Sequence, residues 1–233
     1  MKKLVLILTM CIMHFLSYAQ EPVFAYDNNQ IKSKPQFIEA FNNGNFDNIT
    51  SHSLQKSYNI SAQNGDKYIV KCFKNAGWEN EPGDWHYLEI AYNGQTIYSI
   101  DYADGWEYLS PNLKSSLSPM ADAFYQKDLD CDTVMLLFTG ITIMSQPPYI
   151  TVIILKKGKA TLVLNKPFFI EKVQHSNNED VFSLCANTVE YYDNGTPMNN
   201  ASIQKLYVKN KTSNPQLSSS ASFLRLNVLS SLN

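Results

Sequence analysis

Charge is scarce in this chain and nearly balanced: of 233 residues only 17% are Asp, Glu, Lys or Arg, with 19 basic against 21 acidic. Lacking a basic excess, it has no electrostatic footprint for a nucleic-acid binder, and its 44% hydrophobic content is that of a folding rather than a disordered polypeptide. After the first twenty residues there is no hydrophobic run of the about 20 residues that a membrane-crossing helix needs. No glycine-rich phosphate loop or dinucleotide fingerprint is present, which argues against cytosolic nucleotide chemistry. No Ser or Cys sits in a nucleophile elbow, so the neighbours Asp84, Trp85 and His86 do not extend to an acyl-transfer triad. His52, His86 and His175 are isolated, with no other His or Cys three to five residues away, so neither zinc nor any other cofactor is expected.

The amino terminus reads as an export signal. Met1-Lys2-Lys3 is followed by an apolar stretch from Leu4 to Leu16 and the junction Ser17-Tyr18-Ala19-Gln20, with cleavage expected before Gln20. Lipid attachment at Cys11 is disfavoured by the bulky Met10 before it. The expected location is therefore periplasmic or secreted, and the signal resembles bacterial ones. Loss of residues 1–19 removes Lys2 and Lys3 and leaves a mildly acidic chain, 17 basic against 21 acidic. Its cysteines are Cys72, Cys131 and Cys185. An odd number permits at most one internal disulfide, and each lies in or beside an apolar run where a small buried hydrophobe belongs.

Aromatics, by contrast, are plentiful: 14 Tyr and 12 Phe suit the pleated surface of a sheet better than a helical bundle. The expected fold is mainly β, a β-rich α+β arrangement of antiparallel meanders packed as a sandwich or sheet layers with one or two short helices. Pro35, Phe37, Phe41 and Gly44 punctuate one helix, and Ser110 to Lys127 supplies a second, with Leu117, Met120 and Phe124 on one side. From Asp66 the period becomes two, with Tyr68, Val70 and Cys72 on one face. Residues 66–101 give strand, loop, strand, the tight turn Asn93-Gly94, and strand. Residues 132–165 repeat that order through Thr133 to Thr139, Tyr149 to Leu155 and Lys159 to Leu164, separated by the Pro147-Pro148 loop and the turn Lys156-Lys157-Gly158, a possible internal repeat. Val152 to Leu155 is apolar on both faces, as for a central strand covered on both sides. A third unit runs from Val181 to Tyr192 and from Ile203 to Val208. The expected organisation is a signal peptide over 1–19, one domain over 20–211, and a polar linker and tail over 212–233 with an edge strand at Phe223 to Leu229.

The most unusual stretch runs from Trp78 to Tyr108. It holds all three tryptophans, five tyrosines, seven carboxylates and no Lys or Arg. Aromatic rings beside carboxylates suit a sugar, whose C–H face stacks on the ring while its hydroxyls donate to the acid, and equally suit Lys or Arg from a basic protein partner. Trp78, Trp85 and Trp106 fall in loops or at strand ends and are expected outside. With Asp84, Asp104 and Glu107 they form the candidate ligand-binding set. The plainer reading makes the aromatics cross-strand pairs of one hairpin. A non-enzymatic binding protein for glycan or a basic protein is the first expectation. An envelope glycoside hydrolase using Asp84 with Glu89 or Asp104 with Glu107 is the second. A structural or accessory envelope protein is the third. Asp128, Asp130 and Asp132 have the alternate spacing of a Ca²⁺ loop but lack its glycine and closing glutamate, so a solvated strand entry is expected there.

Overall fold

The computed structural model describes residues 24–27, 30–33, 38, 51–117, 120–142, 146–176, 179–186, 203–209 and 224–228. They form two antiparallel sheets and one short helix, the β-rich class that the sequence pattern implies. In chain order the strands are β1 Phe24–Asp27, β2 Gln30–Ser33, β3 His52–Ser61, β4 Lys67–Asn75, β5 Trp85–Tyr92 and β6 Gln95–Glu107. Helix α1, Pro111–Leu117, follows, then β7 Tyr125–Asp130, β8 Thr133–Gly140, β9 Tyr149–Lys156 and β10 Lys159–Pro167. The last four are β11 Phe169–His175, β12 Glu179–Cys185, β13 Ile203–Lys209 and β14 Leu224–Val228. The larger sheet has the order β10-β9-β8-β6-β5-β4-β3, with β7 also paired to β8, and the smaller is β11-β12-β13-β14-β1-β2.

Strands β8 and β9 are the shared wall of the molecule. Thr133 to Gly140 is buried throughout, because its two faces serve two cores. Met135 and Leu137 of β8, with Ile150, Val152 and Ile154 of β9, pack against Phe182, Leu184, Leu206, Val208, Leu224 and Leu226 of the smaller sheet. Val134, Leu136, Phe138, Ile153 and Leu155 point the other way, onto Tyr68, Val70, Cys72, Leu88, Ile90 and Trp106. The larger sheet therefore rolls, bringing the inner face of β4 to β6 over β8 and β9. Such runs of β-branched residues lose little by extending and gain about 1.5–3 kcal/mol for each large side chain removed from water.

Both expected tight turns are present. Asn93 and Gly94, at φ of 50° and 79°, join β5 to β6, and Lys157-Gly158 joins β9 to β10 with positive φ as well. Three expectations need correction. Helix α1 stops at Leu117 and Tyr125 begins a strand, since Pro119 in the sequence cannot continue a helical ladder; Leu117 and Phe124 enter different cores and Met120 is 81% exposed. The carboxy-terminal strand is not an edge: β14 lies between β13 and β1, paired on both sides. Cys131 is exposed at the β7–β8 turn, whereas Cys72 and Cys185 are buried. Burial pushes the Cys72 thiol up to about 12, so it is inert. Residues 1–19 and 187–202 lie outside the described residues. Of the helix expected around Pro35 only Ile38 is described, and it makes a parallel bridge to Asn165. Among the described residues no helix is long and apolar enough to cross a membrane.

Candidate functional site

The segment from Trp78 to Tyr108 is divided between the inside and the outside of the rolled sheet. Strand β6 continues past Asp101 to Glu107, changing partner from β5 to β8 at its end, where Trp106 and Glu107 pair with Gly140 and Thr139. Gly105 permits this crossing. It has φ of 78°, and a Cβ there would lie 2.7 Å from the Trp85 carbonyl oxygen and 2.9 Å from the His86 ring. Trp85 and Trp106 are thereby cross-strand partners, and both are 0% exposed. This overturns the expectation that they face solvent: they are core residues because β6 extends through the position where a loop was expected. Trp106 Nε1 donates to Thr151 Oγ1 at 3.1 Å, and that hydroxyl donates to Asn165 Oδ1 at 3.0 Å, a buried chain from β6 through β9 to β10. Trp78 is half-buried, edge-on to His86 with ring centroids 4.9 Å apart.

The carboxylates do not form one surface. Glu89 lies outside the roll, where Tyr87 donates to it at 3.2 Å and Lys71 approaches to 3.6 Å. Asp101 pairs with Tyr87 on that same outer face. Asp104 accepts from the Tyr102 hydroxyl at 3.1 Å. Glu79 and Glu81 are exposed on the loop before β5, to which Lys74 of β4 donates at the carbonyls of Glu81 and Gly83. Cations absent from the sequence window are thus supplied by β4.

One pair of acids is brought together, and it joins Asp84 to Glu107 rather than Asp84 to Glu89 or Asp104 to Glu107. The Trp85–Trp106 pairing makes Asp84 and Glu107 cross-strand neighbours. Asp84 is fixed by the Tyr108 N–H, which donates to its Oδ2 at 2.7 Å, and by its own N–H, which donates to the Trp106 carbonyl at 2.8 Å. Glu107 has no such support. Burial and then the negative charge of Asp84 raise its carboxyl above the usual glutamate range. Among the described residues no hydrogen bond or ion pair reaches its carboxylate.

Glu107 and Tyr108 line a cleft of about 310 Å³ between the end of β6, helix α1 and strand β11. Asn112 and Ser116 come from the helix, Thr139 from β8, and Phe169 and Lys172 from β11. The cleft is amphipathic, with aromatic and aliphatic walls around a few hydroxyl, amide and charged groups. No element is expected from the sequence over Phe169 to Val173, whose apolar and polar residues do not alternate strictly, so the β11 wall carries no local signal.

At the β7–β8 turn Asp130, Cys131 and Asp132 bring their ligand atoms within 4.8 Å of one another. Lysine already meets their charge: Lys156 Nζ lies 3.7 Å from Asp130 and 3.2 Å from Asp132, and Lys157 lies 3.5 Å from Asp132. Asp128, the third acid of that spacing, accepts instead from Gln63 at 3.2 Å. Comparison with protein-family models, curated proteins and solved structures finds no match for this chain.

Proposed function

We propose that this is an exported, non-enzymatic binding protein that takes one saccharide unit of a glycan into the cleft beneath Glu107. The observation that carries the reading is Glu107 itself, a half-buried carboxylate held beside a second acid, facing a cleft, with no cation paired to it among the described residues. Keeping such a group costs stability, and a ligand that donates hydrogen bonds to it offsets that cost. Vicinal sugar hydroxyls are such donors, Phe169 offers an apolar wall for the ring's C–H groups, and Asn112 and Thr139 complete a polar edge. The volume, at the low end of the roughly 300–1,000 Å³ range of small-ligand sites, matches a single ring rather than an extended chain. A concave site of this size favours glycan over a basic protein partner, which would need a broader surface. Export rests on the amino-terminal signal pattern.

A calorimetric titration with neutral mono- and disaccharides tests this. Glu107→Gln is expected to weaken binding by at least about tenfold, the worth of a charge-assisted hydrogen bond, while leaving the protein folded and slightly more stable at neutral pH. Trp106→Phe is expected to leave affinity unchanged. Saccharide binding that ignores Glu107→Gln would move the site elsewhere.

The adjacency of Asp84 and Glu107 supports a second reading as a glycoside hydrolase, with Glu107 as the acid of raised proton affinity and Asp84 as its partner carboxyl. It requires turnover of a glycoside panel that both Glu107→Gln and Asp84→Asn abolish while ligand is still retained.

A further inference from the structure

His175 ends strand β11, across from Asp180 in the β11–β12 pairing. Its Nδ1 lies 2.8 Å from Asp180 Oδ1, and its Nε2 meets the Ser116 carbonyl oxygen near the end of helix α1. Asp180 is 4% exposed and also accepts from the Tyr125 hydroxyl and, at 2.9 Å, from Lys127 Nζ. Burial alone would raise its carboxyl, but the hydrogen bonds from Tyr125, His175 and Lys127 outweigh burial and hold it below the usual aspartate value. Asp180 is therefore an acceptor, and a backbone carbonyl is always one. A neutral imidazole carries a single N–H and satisfies one of the two oxygens, leaving a lone pair against the other; only the imidazolium donates to both.

The Ser116 contact joins the two elements that wall the cleft, and the Asp180 contact anchors it to the smaller sheet. Asn112, Leu113 and Ser116 of helix α1 form one wall, and Phe169 to Val173 of β11 form the wall opposite. Ser116 contributes one of the carbonyls that a helix leaves without an internal partner, at the end where a cation is favoured. We propose that His175 is a proton-operated clasp on the cleft: protonated, it ties helix α1 to the smaller sheet, and on losing its proton it keeps Asp180, releases Ser116 and loosens the helix wall. The inference builds on the cleft as a ligand site but concerns its closure, not its ligand.

The groups facing the imidazole are Asp180 from β12, Lys127 and Tyr125 from β7, and the Ser116 carbonyl from α1, while Glu171 and Lys172 lie upstream on β11 itself. The hydrogen bond to Asp180 raises the His175 pKa above its ordinary 6.5, against the opposing charge of Lys127. A raised folded-state pKa means that the clasp is fully engaged below about 6.5, the unfolded value, and is lost as pH climbs through the folded value above it.

Two measurements on the full chain decide the matter. Ring ¹³C shifts followed from about pH 5 to 9 should show His175 titrating above 6.5, and Lys127→Met should move that titration upward. Amide exchange of Leu113 to Leu117, corrected for its intrinsic pH dependence, should speed up about tenfold across the same transition, as when one charge-assisted bond is lost. In His175→Ala the exchange should be fast and flat with pH. Titration of His175 at or below 6.5, or equal exchange profiles for wild type and His175→Ala, would overturn the clasp. Neither result depends on saccharide binding, so the clasp and the Glu107 site fail separately.

Discussion

Strands β4 to β6 and strands β8 to β10 are both three-stranded antiparallel meanders closed by a positive-φ hairpin turn, yet they are buried differently. In the first, β4 alternates, with Tyr68, Val70 and Cys72 in the core and Lys67, Ile69 and Lys71 wholly or partly in solvent. In the second, β8 is buried at every position and β9 at all but its two ends. The difference lies in what covers each outer face. The smaller sheet packs over the second meander, while the outer face of the first carries Phe73 and Tyr87, covered only by the exposed His52 ring of β3, which stacks on Tyr87 at 4.3 Å. A shared topology thus says little about which faces are wet; the apolar period does.

The comparison breaks most sharply under truncation. Leu136→Ala in β8 is expected to cost about 2–5 kcal/mol by urea denaturation, because a cavity opens within a wall packed on both faces. Phe73→Ala, on the partly open face of β4, should cost roughly 1 kcal/mol. Equal losses would mean that the outer face of the first meander is covered after all. An effect between those two tests the link between the meanders: Trp106→Phe removes the indole donor to Thr151 and should cost about 1–3 kcal/mol.

The smallest effect concerns the charged turn that opens the second meander. Burial would raise the Asp132 carboxyl, but its hydrogen bonds with Asp130, Thr133 and Lys156 pull it down to about 2. A depressed carboxyl adds stability that is present above the unfolded value of about 3.9 and is lost as pH falls towards 2. Lys156→Gln should flatten that acid limb of a stability-versus-pH curve, whereas Lys71→Gln in the first meander should leave it unchanged.

Local pattern made the meanders legible in the sequence. Period two marked β4, Val152 to Leu155 marked a strand covered on both sides, and Asn-Gly and Lys-Gly marked the turns. Strands β3 and β7 were not legible because they carry few apolar residues: β3 lies at a sheet edge and is exposed over most of its length, and Tyr125 to Lys127 of β7 falls inside the expected second helix. Of the candidate site, Asp84 and Glu107 do meet, but Trp85 and Trp106 turn inward, and no local signal reports where β6 changes partner. His175 has no His or Cys close by in sequence, yet Asp180 stands only five residues away across the β11–β12 hairpin. Reading β11 as a strand would have placed the two side by side; Ser116, 59 residues distant, has no sequence signal.

The pairing of β1 with β14 joins Phe24 to Leu226 across nearly the whole chain. The rolled sheet closes from neighbouring segments, whereas the smaller sheet is complete only once β14 has reached β1 from the far end of the described chain. Until then the apolar side of β8 and β9 that it covers stays open.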